Sequence, residues 1–186
     1  QSVKDRSILF LGRLHKRKNI NVLLDAFSIL LNNYAGLRLF IAGPNNGELE
    51  NLQKQAFDLK IVKSVIFPGP VYGQDKIKLY QSASVLAYPS SYEVFGLVAF
   101  EALLCGTPVV VSEGAGMGDI IKEAQAGITV PQNDPKALAD AIAWLLDNPE
   151  FADQQVNKGQ QFIRENLDWS KIALNYECLY QQMIDA

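Results

Sequence analysis

Glu93 and Glu101 stand eight residues apart, on either side of Val94-Phe95-Gly96-Leu97-Val98-Ala99-Phe100. Just before them come a strand-like run, Val85-Leu86-Ala87-Tyr88, and its stop, Pro89-Ser90. Gly96 permits a tight turn, and the apolar run after it reads as a helix start. The first turn of a helix offers free backbone N–H groups and a partial positive charge, which suit a phosphate. Glu101 falls one turn inside that helix, on the face of Leu97. Helical side chains lean toward the N-terminus, so its carboxylate points back toward a phosphate held there. A carboxylate repels a phosphate directly but accepts hydrogen bonds from a neighbouring ribose diol. Glu93, in the loop, is free to reach a further hydroxyl. This is the chemistry of a nucleotide-sugar site. Taken singly, Glu93 could be a loop acid and Glu101 a solvated helix charge. However, Ala99, Phe100, Ala102, Leu103 and Leu104 make the helix apolar nearly all round, which predicts burial. A buried carboxylate needs a partner.

Cations for a diphosphate stand earlier, in Gly12-Arg13-Leu14-His15-Lys16-Arg17-Lys18. Arg13 offers a fork and Lys18 a point charge. In a transfer from a nucleotide sugar the diphosphate leaves with growing negative charge, which fixed cations stabilise. Lys16 and Arg17 read as solvated, and His15, the one histidine, as a loop residue within reach of a phosphate. Pro68-Gly69-Pro70-Val71-Tyr72 reads either as a backbone cradle for a flat base, with Val71 against the ring, or as a strand-ending turn. Gly114 to Asp119 reads either as a helix-start loop with Asp119 as an early-turn acid or as a lip of the cleft. Tyr80, Phe95 and Phe100 read as core aromatics, and Trp169, Tyr176 and Tyr180 as the packing face of the last helix.

Elements that could hold these residues in place follow from the hydrophobic pattern. Six short apolar runs recur: residues 8–11, 37–42, 64–67, 85–88, 108–111 and 127–130. Most are continuous rather than alternating, as parallel strands covered on both faces require. Helical periodicity separates them. Ile20, Leu23, Leu24, Phe27, Leu30 and Leu31 share one face, and further helices are expected over 48–59, 74–82, 97–105 and 118–124. Pro135 opens another, with Leu138, Ile142, Leu145 and Leu146 on one face, and 151–166 and 169–184 complete a wholly helical end. The pattern predicts an α/β fold: a single Rossmann-like, doubly wound parallel sheet of about six strands, with helices on both faces and extra C-terminal helices. The special residues share an address. Gly12-Arg13, Gly43-Pro44-Asn45-Asn46-Gly47, Pro68 to Val71, Ser90 to Glu93 and Gly114 to Gly118 each follow a strand, and ligands bind outside the carboxyl ends of strands in such sheets.

The chain's 186 residues, 48% hydrophobic and 20% charged, fit one domain with a substantial core. A net charge of −3 argues against a nucleic-acid surface. No apolar run is long enough to span a bilayer, and the polar start shows no signal peptide. Two cysteines, Cys105 in an apolar helix as a buried thiol and Cys178, imply no disulfide framework. A reduced cytoplasmic setting fits. One histidine and no close cysteine pair give no metal site. The first strand begins near Ser7, so the chain is expected to start like an excised domain of a larger parent.

The motifs now on the page resemble those of a family. They are Gly12-Arg13-Leu14…Lys18, Ile41-Ala42-Gly43, Val65-Ile66-Phe67-Pro68-Gly69 and, most specific, Tyr88-Pro89-Ser90…Glu93-Val94-Phe95-Gly96-Leu97…Glu101-Ala102-Leu103…Gly106-Thr107-Pro108-Val109-Val110. From about Ile8 to Tyr180 the chain resembles the C-terminal, donor-binding half of a group 1 glycosyltransferase, a retaining enzyme of family four with the GT-B fold. The resemblance implies that 1–186 is the nucleotide-sugar-binding domain and that an N-terminal acceptor domain is missing. Arg13 and Lys18 would contact the donor diphosphate, Glu93 the hydroxyls of the transferred hexose, and Glu101 the ribose. Gly12, Gly43 and Phe95 belong to the same donor site. Backbone at Gly96, Leu97 and Val98 would meet phosphate or sugar, and backbone near Val71 the base. The donor would be a UDP-, GDP- or ADP-linked sugar and the acceptor a sugar, lipid or other hydroxyl. No cofactor and no metal are implied, and the fragment alone would transfer little. Membrane association of the parent is not indicated in this domain.

The sequence departs from the family at four places: Asn19 where glycine often follows the lysine, Asn45 and Asn46 where a second glycine is common, Ala115 for glycine, and Asp119 for glutamate. Two other functions share part of the pattern. A sugar-nucleotide epimerase of the same fold tends to carry Ser-Gly-Gly where this chain has Ser91-Tyr92-Glu93. A non-catalytic nucleotide-sugar-binding module would bind without transfer even in the full parent.

Overall fold

The six apolar runs pair into one sheet in the computed structural model, which describes residues 6–114 and 116–185. The polar start over residues 1–5 and the departure at Ala115 lie outside the described residues. The strands are β1 (Ser7–Leu11), β2 (Arg38–Ala42), β3 (Val65–Gly69), β4 (Val85–Tyr88), β5 (Val109–Ser112) and β6 (Ile128–Val130). Their order is β3-β2-β1-β4-β5-β6, and every pairing is parallel. β4 and β5 are buried at every position, as their continuous Val-Leu-Ala-Tyr and Val-Val-Val-Ser runs require.

Among the described residues, eight α-helices connect and flank the strands: α1 (Ile20–Leu30), α2 (Leu49–Asp58), α3 (Gly73–Ser82), α4 (Leu97–Leu104), α5 (Gly116–Glu123), α6 (Pro135–Asp147), α7 (Pro149–Asn166) and α8 (Trp169–Ile184). The strand order grows outward from β1 in one direction and from β4 in the other. Right-handed crossovers therefore place α1 and α2 on one face and α3, α4 and α5 on the opposite one. α6 returns to pack on α1, and α7 packs on α4. The reversal lies between β1 and β4, where Ile8 and Leu9 face Val85 and Leu86. There the two outgoing loops diverge and leave a crevice.

Local chemistry sets the helix ends. Asp134 caps α6 by accepting from the Ala137 N–H, with Pro135 at the first helical position. Asp168 caps α8 through Ser170 and Lys171. Asn19, between a 3-10 turn at Lys16–Lys18 and α1, holds φ 49°, a left-handed conformation that asparagine tolerates better than other side chains with a Cβ. That is why asparagine can stand where glycine is common.

Several expectations need correction. Pro68 and Gly69 lie inside β3 rather than after it, and Gly69 pairs with Ala42 past a bulge. β3 is an edge strand, so a proline without an N–H disrupts no ladder on its open side. Trp169 is 82% exposed, and Tyr176 and Tyr180 are exposed too; α8 buries no residue among those described. Phe95 is also exposed, although its ring lies 5.2 Å from that of the buried Phe100. Cys105 is half-buried one residue past the end of α4, where burial pushes its thiol up. α4 is apolar but not buried all round: Leu97 and Leu104 are exposed and Glu101 is partly so, a stripe open to solvent.

Candidate functional site

The crevice is built by the loops after β1 and β4. After β1, Gly12 donates its N–H to Ala42 O at 2.9 Å, and Leu14 donates to Pro44 O at 3.0 Å. Asn46 returns a bond to Leu14 O at 3.1 Å, so the β1 and β2 loops run side by side. Leu14 is buried and its neighbour Arg13 is turned outward. Beyond them His15 caps the 3-10 turn, its Nδ1 accepting from Arg17 N at 3.2 Å. That gives the histidine a structural role.

After β4, the Ser90 hydroxyl is buried between Arg17 O and Tyr92 O, each at 3.1 Å. Ser91 binds the same Arg17 carbonyl twice, through N at 2.9 Å and Oγ at 3.1 Å. Gly96 starts α4 at φ 65°, ψ 59°, as the turn requires. A Cβ on Gly96 would lie 2.3 Å from Met117 Sδ, and one on Gly116 would lie 2.3 Å from Val94 O. The start of α5 therefore forms the floor of the Glu93 loop. Asp119 is exposed in the first turn of α5, the helix-start arrangement.

Arg13, His15, Arg17, Lys18, Asn46, Tyr92, Glu93 and Val94 line a cavity of about 380 Å³ between these loops. Lys18 and Glu93 form an ion pair within it, their side chains 12% and 20% exposed. Tyr88 OH donates to the same Glu93 Oε2 at 2.9 Å, and the Lys18 ammonium sits 5.2 Å from the centre of the Tyr88 ring. Phe10 stacks on Tyr88 at 5.4 Å and fixes the ring. Arg13 makes no ion pair among the described residues. Arg17, read from the sequence as solvated, is exposed but lies over the Tyr92 ring at 5.4 Å and lines the cavity.

The structure thus brings Arg13, Lys18 and Glu93 together. Gly12 and Gly43 meet backbone to backbone behind them. Leu97 and Val98 supply the first N–H groups of α4, which have no intrahelical acceptor. Glu101 does not line the cavity. It belongs to an adjoining cluster in which Oε1 accepts from Lys76 Nζ and Oε2 from Tyr80 OH, both at 2.8 Å. Val71 packs half-buried against the core just before α3. Among the described residues no group of three or more acids, histidines or cysteines could hold a metal, and no helix is long and apolar enough to cross a membrane.

Sequence reasoning missed the hydroxyl of Tyr88 and the polar ends of Lys76 and Tyr80. A phenol at the carboxyl end of a strand was one available signal; a lysine and a tyrosine four apart on one helix face was another. Burial pushes both phenols above the ordinary value of 10.0, with Glu101 beside Tyr80 and Glu93 beside Tyr88 adding to it. The folded chain therefore keeps two protons that the unfolded chain releases above pH 10. Stability from these groups is full below that pH and falls as the pH rises past it. Alkaline denaturation followed by phenolate absorbance should show two of the seven tyrosines ionising only on unfolding. Tyr80→Phe and Tyr88→Phe should each flatten the fall.

A family model, glycosyl transferases group 1, matches residues 1–162. An uncharacterized glycosyltransferase of Methanocaldococcus jannaschii is 37% identical over 170 residues, covering 91% of this chain and 43% of the relative. Sucrose-phosphate synthase of Thermosynechococcus elongatus superposes with a TM-score of 0.85 at 29% identity, over 97% of this chain and 46% of that one. Anabaena HepE, solved with UDP and glucose, superposes with a TM-score of 0.85 at 21% identity, over 96% of this chain and 49% of that one. The chain spans less than half the length of each of these three proteins.

Proposed function

This chain belongs to the group 1 glycosyl transferases, and within that family we propose that it is the half that binds the nucleotide-sugar donor of a retaining hexosyltransferase. The carrying observation is the convergence of Arg13, Lys18 and Glu93 in one cavity at the carboxyl ends of β1 and β4, where strand order reverses. The N-terminus of α4 follows directly from the same loop. HepE, which has the same fold, was solved with UDP and glucose.

On this reading the donor diphosphate lies against Arg13 and Lys18, with the first N–H groups of α4 at the phosphate or sugar. Glu93 accepts hydrogen bonds from the sugar and Glu101 from the ribose. The bond from the anomeric carbon to the diphosphate oxygen breaks, one to an acceptor hydroxyl oxygen forms on the same face, and the hydroxyl proton passes to the departing diphosphate oxygen. Fixed cations meet the charge on the leaving diphosphate, so the reaction needs no metal and no cofactor. Lys18 must loosen its pairing with Glu93 to do so. The acceptor site lies in an N-terminal domain of a longer parent, and this chain alone binds donor weakly and transfers little.

Thermal unfolding with a panel of UDP-, GDP- and ADP-sugars tests the reading. A ligand of the folded state adds about 2.7 kcal/mol at a hundredfold excess over Kd. One base should raise the midpoint, and Arg13→Ala and Glu101→Ala should abolish the rise. A rise that survives both substitutions would remove the donor from this site.

A further inference from the structure

The Tyr80 ring is 1% exposed, yet its hydroxyl ends on Glu101, whose side chain is 35% exposed. The other end of Tyr80 is fixed as well. Its carbonyl accepts from the buried Thr107 hydroxyl at 2.6 Å and from Ala83 N at 3.0 Å. Thr107 is itself bonded through N to Ala102 O of α4 at 2.9 Å. Tyr80 is thus tied to α4 through its hydroxyl and to the turn that follows α4 through its carbonyl. Lys76, one helical turn earlier on α3, holds the second Glu101 oxygen.

An ionised carboxylate offers about four lone-pair sites. Tyr80 and Lys76 occupy one on each oxygen and leave one on each. Two oxygens with one open site apiece match a vicinal diol. A glutamate held through one oxygen alone would turn about its soft terminal torsion and lose that match.

We propose that Tyr80, assisted by Lys76, is a positioning residue that fixes the Glu101 carboxylate so that the site reads the 2′,3′-diol of the donor ribose and rejects deoxyribose. This rests on the reading of Glu101 as the ribose ligand. A site built to bond two hydroxyls discriminates against a ligand lacking one, because the carboxylate oxygen that faces the missing hydroxyl forgoes that hydrogen bond.

Calorimetric titration of the 186-residue chain with UDP, GDP and ADP, then with the 2′-deoxy form of the tightest binder, tests this. The wild type should prefer the ribonucleotide by about tenfold, and Tyr80→Phe should cut the preference to about twofold by weakening only the ribonucleotide. Lys76→Met, on the partly exposed side, should do the same and serves if Tyr80→Phe does not fold. Equal weakening of both nucleotides, with the preference kept, would mean that Tyr80 supports the fold only and would overturn the proposal. A wild type that binds none of the three, or does not distinguish ribose from deoxyribose, would overturn the ribose reading and this proposal with it.

Discussion

Alanine at Gly43 should cost the fold about 4 kcal/mol, a large share of the roughly 5–15 kcal/mol that stabilises a typical domain. A Cβ there would lie 1.9 Å from Gly12 O and 2.7 Å from Gly12 C, at a backbone φ of +146°. Both contacts are to backbone, and neither strand end can retreat. Gly12 N is bonded to Ala42 O and Gly43 N to Gly69 O, each at 2.9 Å, so three strand ends are tied at this point. Gly36 is the control: it has φ +79° but nothing within 4 Å of its notional Cβ. Its alanine variant should lose only about 1 kcal/mol, the cost of the left-handed conformation. Urea denaturation of both variants measures the difference. Equal midpoints would mean that the Gly12–Gly43 contact relaxes freely.

Lys18→Met should lower stability by about 3 kcal/mol, because it leaves the Glu93 carboxylate in a largely closed site with only the Tyr88 hydroxyl as partner. Lys18→Met with Glu93→Gln removes both charges and should recover most of the loss. On the proposed donor-site reading, binding should not recover, since the double variant lacks a cation for the diphosphate and a carboxylate for the sugar. Denaturation and nucleotide-sugar titration on the same three proteins separate the two effects. If the double variant is less stable than Lys18→Met alone, the pair is not an isolated charge couple.

The sheet was legible because its central strands β1, β4 and β5 are buried on both faces and carry near-continuous apolar runs; Val109, Val110 and Val111 need no partner information to be read as strand. The turn at Gly96 followed from residue type, and the placing of the special loops at the carboxyl ends of the sheet from their positions after the strands; which two loops converge followed only from the observed strand order. Contacts between segments far apart in sequence were not legible. Lys18 and Glu93 are 75 residues apart, and Tyr80 meets Glu101 only because α3 crosses the sheet to lie beside α4. Exposure failed at Phe95 and Trp169 for a related reason. An apolar side chain predicts burial only when a covering element exists, and periodicity does not say whether one does.

The Arg17 carbonyl, bonded by Ser90 and twice by Ser91, joins the loop of one half of the sheet to the loop of the other. A ligand that bridges the two loops meets them already frozen with respect to one another. Ordering backbone costs about 1–2 kcal/mol per residue, and here that loss of conformational entropy falls on folding rather than on binding. On the proposed donor-site reading, the rearrangement a ligand must drive here is therefore one of side chains, above all the release of Lys18 from Glu93, and not closure of the loops.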